Sequence, residues 1–194
     1  MTAETNAAIE GAFNAGATEV VVNDGPGGMR NLVATDLDRR AILIQGRVKP
    51  LHMVEGLDDS FAACFLVGYH AAAGVRDGVL NHAFHPYALR CNGQVFSETG
   101  LSAMIAGHYG VPVALMTSDD ATLRDADTLL GAGRYVGVTA KRSISRFAAA
   151  SLHPEVARDR IRAGAEEALR RLSEFAPFQV AQPVRLELDF YYSP

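Results

Sequence analysis

Three of the chain's 6 histidines, His70, His82 and His85, fall close together after the apolar run FLVGYH, and Glu98 lies a little further on. Imidazole nitrogen and carboxylate oxygen together suit a borderline-soft ion such as zinc. Such an ion lowers the pKa of a bound water toward neutrality and polarises a peptide carbonyl. An imidazole beside it that is not a ligand can serve as base or nucleophile, because its ordinary pKa of about 6.5 lies near neutral pH. Each residue also has a plainer reading. His70 is equally a histidine satisfied by a backbone carbonyl. Glu98, at the start of a helix, suits the helix dipole. His85 precedes Pro86 and reads as a loop residue, and Asp119 and Asp120 read as helix caps. The glycine-rich stretch Gly25 to Gly28 could cradle a phosphate, yet it matches neither a P-loop nor GxGxxG. The residues taken alone reach an α/β protein with a His/Glu metal site, and no substrate.

The elements that must position these groups alternate between two periods. Thr2 to Ala15 reads as a helix with Ile9, Ala12 and Phe13 on one face and Gly16 beyond its end. Thr18 to Val22 and Ala41 to Ile44 read as strands, and the apolar Phe61 to Gly68 as a third, central one. Asn92-Gly93 between Ala88–Cys91 and Gln94–Phe96 is a hairpin signal. Ser97–Tyr109, Ala121–Leu130 and Pro154–Phe175 read as helices, and Val111–Met116, Tyr135–Thr139 and Val184–Phe190 as strands. This alternation predicts an α/β layered domain with a largely parallel sheet flanked by helices. Residues 1–175 form its core, and 176–194 a proline-containing linker and the last strand of the same fold. In such sheets ligands collect beyond the carboxyl ends of strands, at the loops opening with Asn23-Asp24, Tyr69-His70 and Ser118-Asp119-Asp120.

Bulk properties narrow the classes. A net charge of -4 leaves no basic excess to neutralise phosphates, which argues against nucleic acid as a partner. The 2 cysteines are too few for a disulfide framework and read as reduced thiols. No run approaches the roughly 18 apolar residues of a membrane span, and the first residues carry no signal-peptide pattern. No membrane partner and a cytoplasmic location are the resulting expectations.

Several separated segments resemble the DppA-like D-aminopeptidases: FNAGATEVVVNDGPGGMRNL, VKPLHMVEGLDDSFAACFLVGYHAAAG, the GVLNH after it, and the later TSDD and VTAKRSISR. They stand in the same order along nearly the whole chain. The resemblance implies a zinc metallopeptidase with two zinc ions per subunit. Its activity would be removal of N-terminal D-amino acids from short peptides, and its assembly a ring-shaped homo-oligomer. Carried over by motif, His70 is implied as a zinc ligand, Glu98 as a second, and His82 as the catalytic nucleophile or base.

Three departures stand against this likeness. The family's opening strand with an Asp-x-Glu pair has no counterpart before Met1, and family members continue past the last strand seen here. The chain thus reads as truncated at both ends. In the loop after the next strand, Pro26 occupies the place of a ligand histidine, and Asp24 is the replacement nearest to hand. A catalytically inactive homologue retaining the scaffold and oligomer interface is therefore the alternative reading. A nucleotide-binding module using the glycine loop is the third.

Overall fold

Seven residues with no charge before the last, Val113 to Asp119, can only be a strand covered on both faces, and they form the middle of the molecule. The computed structural model describes residues 1–82 and 88–190. Its elements are α1 (Thr2–Asn14), β1 (Val21–Asn23), β2 (Ile42–Ile44), β3 (Cys64–Val67), β4 (Ala88–Cys91), β5 (Gln94–Phe96) and α2 (Glu98–His108). They continue with β6 (Val113–Asp119), α3 (Asp120–Leu130), β7 (Val136–Ser145), β8 (Ala148–Ser151), α4 (Pro154–Arg170) and β9 (Leu186–Asp189). The main sheet has the order β3-β6-β7-β8, with β3, β6 and β7 parallel and β8 antiparallel. β1 and β2 form a parallel pair, and β5-β4-β9 an antiparallel sheet. The class is α/β with a mostly parallel sheet.

Helices cover both faces of the main sheet. On one side Ala7 and Ala8 of α1 and Ile161, Ala165 and Ala168 of α4 pack on Leu115, Val136 and Val138. On the other, Ala103 and Ala106 of α2 and Leu123 and Ala126 of α3 pack on Cys64, Leu66 and Met116. Small residues let the helices approach closely. A Cβ on Gly11 of α1 would meet the Arg162 carbonyl oxygen of α4 at 2.3 Å. The Glu167–Arg171 pair expected from its spacing of four is present at 2.7 Å, on the solvent side of the segment.

Several expectations shift. Among the described residues β3 is an edge of its sheet, while β6, buried at all 7 positions, lies inside it with β7. Leu66 and Cys64 of the apolar run Phe61–Gly68 are buried against helices, and β6 is the one strand neighbour of β3 among the described residues. β1 is shorter than expected and half-buried, since β2 is its one strand partner among the described residues. Val21 and Asn23 of β1 and Cys64 and Leu66 of β3 line a cavity of about 550 Å³ that separates the two sheets. The last strand, Leu186–Asp189, joins β4 antiparallel rather than the parallel sheet. β7 runs on to Ser145 and turns into β8, a hairpin the short apolar run Tyr135–Thr139 did not show. The Asn92-Gly93 turn is as expected, with φ of 50° and 81°, the left-handed pair that a tight hairpin requires. Both cysteines are free and buried, and burial pushes the Cys64 thiol up to about 12.

Candidate metal centre

The chain leaves β3 at Gly68, whose φ of 74° turns it sharply toward β6. The Gly68 amide donates to the Thr117 carbonyl at 3.0 Å, and the Ser118 hydroxyl donates to the Tyr69 carbonyl. The Tyr69 hydroxyl lies 3.1 Å from the Ser102 hydroxyl of α2. Further along, the Ala72 amide donates to Asp125 of α3 at 3.1 Å, and the Leu80 amide to the Arg146 carbonyl at 2.9 Å. Residues 68–82 are thus tied to β6, α2, α3 and the β7–β8 turn, and His70 and His82 stand on a fixed loop. Glu98 opens α2, where Ser97 caps the helix by accepting from the Gly100 amide.

These three side chains converge. One donor atom from each of His70, His82 and Glu98 lies within 4.8 Å of the others. The His70 and His82 rings stack with centroids 3.8 Å apart and planes 16° apart. His70 Nε2 is 3.1 Å from a Glu98 oxygen, and His82 Nε2 is 4.0 Å from the other. Glu98 is buried, at 8% exposure, although it is a first-turn acid that could have pointed to solvent.

The tautomers follow from the partners. His70 Nδ1 faces the Ala71 carbonyl at 3.1 Å, and His82 Nδ1 faces the Leu80 carbonyl. A carbonyl oxygen can only accept, so each Nδ1 carries a hydrogen and donates it. In the neutral ring Nε2 then bears a lone pair, and both lone pairs are turned toward the Glu98 carboxylate. Facing lone pairs repel unless a cation, proton or metal, sits between them. Burial lowers the proton affinity of His70, while the Glu98 hydrogen bond and charge and the Ala71 carbonyl more than offset it, so its pKa lies above the ordinary value. His70 Nδ1 thus meets the backbone-carbonyl reading, while Nε2 is the nitrogen turned toward Glu98. Metal-binding histidines commonly donate their second ring nitrogen to a carbonyl in this way. The donor types fit zinc, which takes imidazole nitrogen and carboxylate oxygen, both offered here by His70 and Glu98 with the His82 imidazole beside them.

The other candidates resolve differently. Asp119 caps α3, its carboxylate accepting from the Thr122 amide at 2.9 Å and the Thr122 hydroxyl at 2.8 Å. Asp120 accepts from the Ser143 amide of β7 at 2.7 Å, which holds its carboxyl at about 2. Asp24 does not replace a ligand at Pro26. It is 1% exposed and accepts from the amides of Asn31 and Leu32 and the side chains of Asn31 and Gln45. Burial raises its pKa, and these hydrogen bonds together bring it below the ordinary value. The carboxylate thus takes the amides of Asn31 and Leu32 just beyond the glycine loop, and its negative charge there disfavours a phosphate. His85 lies outside the described residues.

Sequence reasoning did not single out His52 and Lys49. Lys49 is buried and donates to the Asn23 side chain at 2.5 Å and the Asp24 carbonyl at 2.7 Å, locking the end of β1. His52 lies in the adjoining turn, where the Asn23 side chain donates to its carbonyl at 3.0 Å. Neither has a spacing that marks it. The signals at hand were the break at Pro50 between them and their place in the VKPLHMVEGL stretch of the resemblance.

An α/β fold with a His/His/Glu cluster where β3 exits the sheet offers donors that a metal ion could use, and the comparisons are more specific. The sequence profile of the D-aminopeptidases matches residues 1–193, and the chain belongs to that family. A D-aminopeptidase of Bacillus subtilis (strain 168) is 42% identical over 156 residues, which are 79% of this chain and 56% of the relative. The solved structure of the Zn-dependent D-aminopeptidase DppA from Bacillus subtilis, described as a self-compartmentalizing protease, superposes with a TM-score of 0.93 at 36% identity. That likeness covers 98% of this chain and 69% of the DppA chain. The chain therefore spans little more than half the length of the curated relative it matches.

Proposed function

We propose that this chain is a zinc-dependent aminopeptidase that removes N-terminal D-amino acids from short peptides. The observation that carries the reading is the pair of Nδ1–H donations from His70 and His82 to backbone carbonyls, which aim both Nε2 atoms at buried Glu98. Family membership and the Zn-dependent relative support zinc as the ion. His70 and Glu98 would hold it, and two ions per subunit is the stoichiometry proposed.

Bound zinc supplies Lewis acidity, polarising a carbonyl and easing deprotonation of water. His82 does the proton transfer. Its Nδ1–H is held by Leu80, so Nε2 is the one free basic nitrogen of the ring. The side chain is 44% exposed, against 20% for His70, and is thus the imidazole that an incoming peptide meets. His82 accepts a proton from the attacking nucleophile and returns it to the departing amine.

Purified protein is expected to contain zinc and to release D-alanine from a D-Ala dipeptide. His82→Ala should retain the metal and lose about 100-fold or more of turnover, the usual weight of a general base. Loss of zinc from that variant would instead make His82 a third ligand. Less than about one zinc per two chains, with no turnover, contradicts the reading.

A second reading, a non-catalytic relative that keeps the scaffold, is favoured by the loop after β1. Pro26 offers no side-chain donor, and the Asp24 carboxylate is occupied by loop amides. Stereospecific turnover by the purified chain would exclude it. For the assembly we propose a ring-shaped homo-oligomer, supported by the self-compartmentalizing relative. Light scattering at the 20.7 kDa of one chain would overturn that proposal.

A further inference from the structure

One peptide unit beside the two histidines is hydrogen-bonded at both ends. The Ala71 carbonyl accepts from His70 Nδ1 at 3.1 Å and from the His82 amide at 3.3 Å. The N–H of the same unit, that of Ala72, donates to a carboxylate oxygen of Asp125 on α3 at 3.1 Å. Ala71 and Ala72 are buried, and a Cβ on Gly78 would lie only 2.8 Å from the Ala71 Cβ, so the loop packs this unit in place. A line of contacts therefore runs from Asp125 through the Ala71–Ala72 peptide and the His70 ring to Glu98, which is 3.1 Å from His70 Nε2.

The Ala71–Ala72 peptide is trans, with its C=O and N–H pointing in opposite directions. A negative charge at the N–H end pushes electron density toward the carbonyl oxygen at the other end, as bonds in a chain polarise one another. That oxygen has two lone pairs and so can serve both histidine donors. A stronger acceptor draws the His70 Nδ1 hydrogen, and Nε2 across the ring becomes the better donor. Metal-binding imidazoles are tuned in this way by a carboxylate or carbonyl on the second nitrogen. Anchoring the loop would not need a charge. Burial works against the Asp125 carboxylate and raises its pKa, with the Ala72 amide opposing, whereas a neutral side-chain oxygen could accept from Ala72 without that cost.

We infer that Asp125 is a positioning residue of the metal centre, acting through the Ala71–Ala72 peptide to orient His70 and strengthen its Nε2 as a donor. The inference rests on the zinc reading above and adds a residue to it.

Variants of the full chain separate charge from anchoring. Asp125→Asn keeps an oxygen for the Ala72 amide and removes the charge. Asp125→Ala removes both. Asp127→Asn removes a charge from the same helix at a carboxylate that accepts instead from the Tyr135 hydroxyl at 2.9 Å. Zinc affinity is read by competition with a chromophoric chelator. Asp127→Asn should match the wild type, and Asp125→Asn should bind about 10-fold more weakly or worse. Equal affinity of Asp125→Asn and wild type, with Asp125→Ala alone impaired, makes Asp125 a loop anchor and overturns the inference. An equal loss in Asp127→Asn marks a general field of the helix and overturns it too. A second reading needs no zinc. In metal-free protein, at a pH where the ring is neutral, the His70 ring nitrogens are observed by magnetic resonance through their carbon-bound protons. Nδ1 should carry the hydrogen in the wild type, and its resonance should move toward that of an unprotonated nitrogen in Asp125→Asn. An unmoved resonance contradicts the inference. A wild type that binds no zinc overturns the zinc reading, while the nitrogen resonances still decide the part of Asp125.

Discussion

At the scale of single residues, the decisive feature is a largely buried carboxylate set against two imidazoles. Glu98 at 8% exposure faces two imidazoles whose outward nitrogens already donate to carbonyls. Glu98→Gln keeps the shape and removes the charge. Metal analysis should find its zinc content falling to background, while circular dichroism stays unchanged. Asp24 is the structural counterpart. Asp24→Ala leaves the amides of Asn31 and Leu32 and the Gln45 side chain without their acceptor, and should cost about 3 kcal/mol in denaturant unfolding. Its pKa is below the ordinary 3.8 in the folded chain, so its contribution is complete above about 4. That contribution fades as pH falls through the lower folded value. Asp24→Asn should therefore flatten acid unfolding below pH 4, read by fluorescence. The sequence showed His70 and Glu98 through their neighbours, because FLVGYH and the Asn-Gly hairpin place them at element ends. It could not show that Lys49 and His52 would fasten the end of β1, because both bonds run to the Asn23-Asp24 corner more than 20 residues away.

Among the elements, regular ones were legible and their neighbours were not. The helices fall within a few residues of expectation because apolar period, caps and glycines agree, as at Ser97 before α2 and Asp119 before α3. Strand neighbours were harder to read, since among the described residues the apolar run Phe61–Gly68 pairs with β6 alone and packs its Cys64 and Leu66 against helices. β9 gave an alternating pattern, VRLELDF, which suits an antiparallel edge as well as the end of a parallel sheet. The α1–α4 contact offers a direct check. Gly11→Val would drive a side chain into the Arg162 carbonyl and Ala165, and should destabilise by about 1–3 kcal/mol in chemical unfolding. An unchanged midpoint would mean that the two helices do not meet at Gly11.

For the molecule as a whole, the sheet with helices on both faces is the stable platform, and the site sits on its rim. Leu115, fully buried on β6 between the layers, should cost about 2–5 kcal/mol when cut to alanine, with the loss read by thermal melting. Zinc should raise the melting temperature of the wild type, because an ion that binds the folded state shifts the equilibrium toward it. The claim on which the functional account depends is that His70, His82 and Glu98 form one metal centre that hydrolyses peptides. Zinc titration of metal-free protein, followed by assay of D-alanine release in the same samples, measures this directly. The account predicts that turnover rises in step with bound zinc and is absent from Glu98→Gln at every zinc level. Turnover in Glu98→Gln equal to that of the wild type, or a wild type that binds no zinc, would contradict it.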